Sequence, residues 1–176
     1  MHARALTGWL GCILAISGCT TPNGDENPQP QLDPLPTIAA PAEHLLCNIP
    51  QRAVELVTNR RAFTTEGTLI KNDVRDCNVY SNPHTPADIT VGMFANPSDI
   101  QDDIPKLDGK PTFARVPTEW GPGYVSTSDE HFMIGRLYGK DVYVQVKVRS
   151  TPHKRDHNKD MLALLSILRP LITPAK

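Results

Sequence analysis

The sequence predicts an α+β domain: a short N-terminal helix, an antiparallel β-meander, and a C-terminal amphipathic helix packed on one face of the sheet. Three observations carry this reading. Val142, Val144, Val146 and Val148 alternate with Tyr143, Gln145, Lys147 and Arg149, the period-2 pattern of a strand with one buried and one wet face. Met161, Leu164, Leu165 and Leu168 recur at helical spacing with Leu162 beside them, which marks a helix with one apolar stripe. Between them and the N-terminal third, short alternating runs are broken by Gly, Pro and Asn, as in a meander. No internal repeat is present.

The elements follow in order. Pro50 to Arg60 reads as the first helix, with Pro50 at its first position and Ala53, Val54, Leu56 and Val57 as its apolar stripe. Strands are expected over Leu69–Val74 and Asp76–Ser81, then a break at Asn82-Pro83. Ala87–Ala95 alternates Ile89, Val91 and Met93. Residues 96–111 are polar and irregular, with a turn at Asp108-Gly109. Short strands are expected over Thr112–Val116 and Tyr124–Ser128, flanking a turn at Gly121–Gly123. The clearest hairpin joins His131–Tyr138 to Asp141–Arg149 through Gly139-Lys140. The final helix is expected to be capped by Thr151, to begin with Pro152 and to end at Pro170.

The N-terminal part is of another kind. Residues 1–18 read as a lipoprotein signal peptide: Arg4 supplies the positive end, and Ala5 to Ile16 is uncharged, apolar and too short to span a bilayer. Ile16-Ser17-Gly18-Cys19 matches the bacterial lipobox. Small residues let the peptidase seat the backbone at the cut, and the cysteine thiol takes the diacylglycerol. Cys12 is a poor rival, because Trp9 would stand three before it and the apolar stretch would be too short. Cys19 is thus expected to be the first mature residue, holding the protein to the extracytoplasmic face of the cell membrane. Its acyl chains suffice for this without a basic patch. Residues 19–41 carry Pro22, Pro28, Pro30, Pro34, Pro36 and Pro41 among polar residues, which predicts a disordered, semi-stiff tether. The folded domain is expected over residues 42–172, with 173–176 as a tail.

With Cys12 discarded and Cys19 lipidated, Cys47 and Cys77 remain. An even pair in an oxidising compartment predicts a disulfide; without a CxxC or nearby His pattern it makes a poor zinc site. The formal charge of −1 becomes −2 once Arg4 is removed with the signal. Such a balance gives no electrostatic footprint for nucleic acid.

Leu45-Leu46-Cys47 ahead of a short helix, and Asp76-Cys77-Asn78-Val79-Tyr80 some way on, follow the lipobox and Pro-rich stretch. This arrangement resembles the actinobacterial surface lipoproteins that carry domain of unknown function three-five-five-eight, over residues 42–172. Glu119-Trp120-Gly121-Pro122-Gly123 departs from the Gly-Asp-Ala-like turn of such proteins. The resemblance implies an extracytoplasmic α+β domain with one disulfide and brings no catalytic residues with it.

Motifs for chemistry are sparse. His153-Lys154-Arg155-Asp156-His157 places two histidines at helical spacing, but the flanking cations and the short Asp favour a polar helix start over a metal site. Asp99, Asp102, Asp103 and Asp108 lack the spacing of a calcium loop, and Pro105 interrupts them. Ser126, Ser128 and His131 read as ordinary hairpin-edge residues. The chain has no GxSxG, SxxK, P-loop or GxGxxG. Within the aromatic group Trp120, Tyr124, Tyr138 and Tyr143, Trp120 and Tyr124 are the candidate binding residues, Trp120 because it stands in a Gly- and Pro-rich loop. The expected function is a lipid-anchored, non-enzymatic domain that binds an envelope protein or small ligand, with no metal or cofactor. The alternatives are a small surface hydrolase without a recognisable motif and a structural envelope component.

Overall fold

The valine-rich segment is the middle strand of a seven-stranded antiparallel sheet. The computed structural model describes residues 33–61, 63–69, 75–96, 104, 109–110, 112–129, 132–149 and 155–173. Among the described residues, in chain order, the strands are β1 (Leu45–Leu46), β2 (Ile49–Pro50), β3 (Thr64–Gly67), β4 (Asp76–Tyr80), β5 (Ile89–Ala95), β6 (Phe113–Arg115), β7 (Gly123–Asp129), β8 (Phe132–Tyr138) and β9 (Val142–Arg149); the α-helices whose bounds are described are α1 (Gln51–Thr58) and α2 (His157–Leu168). The sheet runs β3-β4-β5-β9-β8-β7-β6, and β1 with β2 forms a separate ribbon. The chain is therefore α+β, as the sequence predicts.

Register explains the core. Val144, Val146 and Val148 lie opposite Met93, Val91 and Ile89 on one side and opposite Leu137, Gly135 and Met133 on the other. All the side chains in these rows are buried. Met161, Leu164, Leu165 and Leu168 of α2 join the same core. Gly135 is what lets the helix come down this far: a Cβ there would lie 2.7 Å from Met161 Sδ and 3.1 Å from Leu165 Cδ1. A side chain at the contact would force the helix off the valines.

Several boundaries move. An edge strand not expected from the sequence lies over Thr64–Gly67; of the strand expected over Leu69–Val74, Leu69 is outside any strand and residues 70–74 lie outside the described residues. All four β3 residues are exposed, so a polar edge leaves no alternation in the sequence. Helix α1 starts after Pro50, which is its N-cap. Pro50 has no side-chain acceptor to offer, and Glu43 supplies it: its carboxylate accepts from the Arg52 amide and from the Ala40 amide, both at 2.7 Å. These bonds lower the Glu43 pKa. The cap of α2 is Asp156, whose carboxylate accepts from the Lys159 amide at 3.1 Å, rather than Thr151, which with Pro152 lies outside the described residues. Asp is the stronger cap of the two.

The packed chain also begins ahead of Ala42. Leu35 is 6% exposed and belongs to the main core, and the Asp33 carbonyl accepts from Arg155 at 3.1 Å. Arg155 in turn grips Asp160 with two bonds of 2.6 and 2.7 Å. The C-terminal end of the expected tether thus belongs to the domain; composition did not show it because a few apolar residues scattered among prolines make no helix or strand period.

Cys47 and Cys77 form a disulfide with a Cα–Cα distance of 5.6 Å. Cys47 and Asn48 are the two turn residues of the β1–β2 ribbon, at φ 53° and 64°, as a two-residue hairpin requires. The bond ties that turn, and with it the start of α1, to β4.

Two outcomes follow for stability. Leu35→Ala should cost about 2–3 kcal/mol, read by urea denaturation; a loss below roughly 0.5 kcal/mol would remove Leu35 from the core. Replacing Cys47 and Cys77 together by alanine should cost about 3–4 kcal/mol, from the entropy of the opened loop, with the same secondary structure by circular dichroism.

Candidate functional site

The second face of the sheet was expected to be wet, and it is so only in part: Arg115, Phe132 and Lys147 are exposed, whereas one region is covered. Gln145 is 6% exposed and Tyr138 2%. A second apolar cluster lies on this part of the face, formed by Ile104, Tyr124 and Tyr138 with Phe113 and Tyr143 packed against it. The pairing registers bring these side chains together. Arg115, Tyr124, Arg136 and Gln145 stand opposite one another on β6, β7, β8 and β9. One step along, Tyr138, Tyr143 and Phe94 form a second row across β8, β9 and β5.

The rings contact in series. Phe94 and Tyr143 stack with centroids 5.1 Å apart, Tyr143 and Tyr138 lie 5.2 Å apart, and Phe113 and Tyr124 lie 5.4 Å apart. The Arg136 guanidinium sits among them, 5.8 Å from the Tyr124 centroid and 5.6 Å from that of Tyr143, within the range at which a ring attracts a cation. Its Nε donates to Gln145 Oε1 at 2.7 Å. Among the described residues no carboxylate pairs with Arg136.

The Tyr138 hydroxyl is buried and has no hydrogen-bond partner among the described residues. Arg136 stands near it without closing a bond of ordinary geometry. Burial pushes the Tyr138 phenol up to about 12, and the Arg136 guanidinium works against that rise. The phenol is therefore neutral at physiological pH and offers an O–H donor. A buried donor left unpaired costs about 1–3 kcal/mol, so this one calls for an explanation. The other such atom among the described residues is Asn96 Oδ1, whose amide group donates to the Gly139 and Lys140 carbonyls in the β8–β9 turn.

Trp120 and Tyr124 do not form one site. Trp120 is half-buried and packs against the main core, held from α2's end by Arg169, 6.0 Å from its ring centroid and bonded to the Glu119 carbonyl at 3.1 Å. Tyr124 belongs to the second-face cluster. An open pocket of about 350 Å³, lined by neither of them, is bounded by Ile104, Arg115, Val116, Thr118 and the turn Gly121–Gly123. Gly121 is at φ 97°, a conformation that glycine adopts at no steric cost.

Of the histidine motif, Asp156 serves as the helix cap, Arg155 pairs with Asp160 and His157 opens α2; His153 lies outside the described residues. So do Asp99, Asp102, Asp103, Asp108 and His131. Ser126 is half-buried on β7, opposite Phe113 and Ile134. Among the described residues no group of three or more His, Cys, Asp or Glu is placed to hold a metal.

Arg136 and Gln145 escaped the sequence reading. The signal was the second phase of the same alternation: Arg136 and Tyr138 on one strand, Tyr143 and Gln145 on the next. No known protein family, characterised protein or solved structure matches this chain.

Tyr138 sets an alkaline limit. Its folded-state pKa lies above the ordinary 10.0, so the unfolded chain loses this proton first. Its contribution is present below pH 10 and is lost as pH climbs toward about 12. Stability measured by denaturant should therefore fall over that window, and Tyr138→Phe should flatten the fall. An unchanged alkaline slope in the variant would count against a buried phenol.

Proposed function

We propose that the chain is a lipoprotein anchored through Cys19 to the extracytoplasmic face of the cell membrane, and that its α+β domain binds an envelope partner or small ligand without catalysing a reaction. The observation that carries the location is the lipobox Ile16-Ser17-Gly18-Cys19 placed directly after an uncharged apolar stretch. The disulfide between Cys47 and Cys77 supports it, since such bonds persist in oxidising compartments. The same lipobox and cysteine pair underlie the resemblance to the actinobacterial lipoproteins. The binding reading is supported by the aromatic and arginine side chains gathered on the second face of the sheet, where no acid–base pair stands among the described residues.

Intact mass of the membrane-extracted protein tests the anchor. The expected species starts at Cys19, carries acyl chains, and gains two hydrogens on reduction. Cys19→Ser should leave the protein unacylated. A wild-type mass that retains residues 1–18 or lacks acyl chains would remove the anchor from the proposal.

A further inference from the structure

We propose that the second face of the sheet holds a binding site for an organic monocarboxylate, whose oxygens take the Arg136 Nη groups and the Tyr138 hydroxyl and whose apolar body lies against the neighbouring rings. This deepens the ligand-binding reading above and does not depend on the anchor.

The argument starts from unmet hydrogen-bonding capacity. Arg136 spends its Nε on Gln145, and no carboxylate among the described residues answers its charge. Tyr138 offers an O–H that nothing among the described residues accepts. Both groups are donors, they lie two residues apart on the same face of β8, and what they lack in common is an acceptor. An oxyanion supplies it, and a guanidinium binds a carboxylate through two parallel bonds. One guanidinium and one neutral phenol match a single negative charge better than the double charge of a phosphate.

The surroundings select the rest of the ligand. Tyr124 and Tyr143 flank the guanidinium, and Phe94 extends the wall beyond Tyr143. Tyr124 and Tyr138 are buried and Arg136 is half-buried, and an apolar setting strengthens a charged bond relative to water. Ile104 packs with Tyr124 and Tyr138 and also lines the open pocket of about 350 Å³. It is thus shared by the cluster that holds Tyr138 and by a space within the range of small-molecule sites.

Calorimetric titration of the purified protein with benzoate tests the site. Benzoate should bind saturably, while benzamide, which has the ring without the charge, acetate, which has the charge without the ring, and inorganic phosphate should each bind at least tenfold more weakly. Tyr138→Phe preserves shape and removes only the unpaired hydroxyl, so it should fold as the parent does and bind benzoate about fivefold more weakly, one hydrogen bond's worth. Arg136→Gln should abolish binding. Absence of saturable benzoate binding, or equal binding by the parent and Tyr138→Phe, would overturn the proposal. Preferential binding of phosphate would overturn the carboxylate assignment. Failure here with an acylated Cys19 would leave the anchor standing, and the converse holds as well.

Discussion

The packing of α2 on the valines of β9 is the contact on which the other features depend. Val144, Val146 and Val148 are buried between neighbours on both sides, so the strand's register is fixed by three rows at once. A slip of one residue would turn every valine outward and bring Tyr143, Gln145 and Lys147 under the helix. Gly135 permits the close approach, and Met161 and Leu165 fill the space a side chain would take. Burial of this kind is the main favourable term in folding.

Besides its own side chains in the core, the segment ahead of β3 is held by two further ties of different kinds. The disulfide links a tight turn at Cys47 and Asn48 to β4, which limits the unfolded chain as much as it braces the folded one. The second tie is polar: Arg155 holds Asp160 and reaches the Asp33 carbonyl, while Leu35 enters the core. The segment from Asp33 to Leu35 is thus fastened at the foot of α2.

Fixing one face of β9 decides what the opposite face must carry. Arg136, Tyr138, Tyr143 and Gln145 have no freedom to point elsewhere once the valines face α2. Covered by Ile104 and neighbouring rings, they form a polar group in an apolar setting, with an arginine and a phenol that the described chain does not fully satisfy. Such a group costs stability, which makes it the part of the domain best explained by use.

The sequence by itself determined the fold class, the late hairpin, the apolar stripe of α2 and the pairing of Cys47 with Cys77, because each is written as a local period or as a count of cysteines. Tertiary structure alone decided three other things. It placed Thr64–Gly67 as an edge strand, which an exposed polar segment does not announce. It gave the cap of α2 to Asp156, since caps depend on where the chain enters the helix. It covered part of the face that alternation marks only as polar, around Tyr138 and Gln145, because the period of a strand says which residues share a face and not what will cover it.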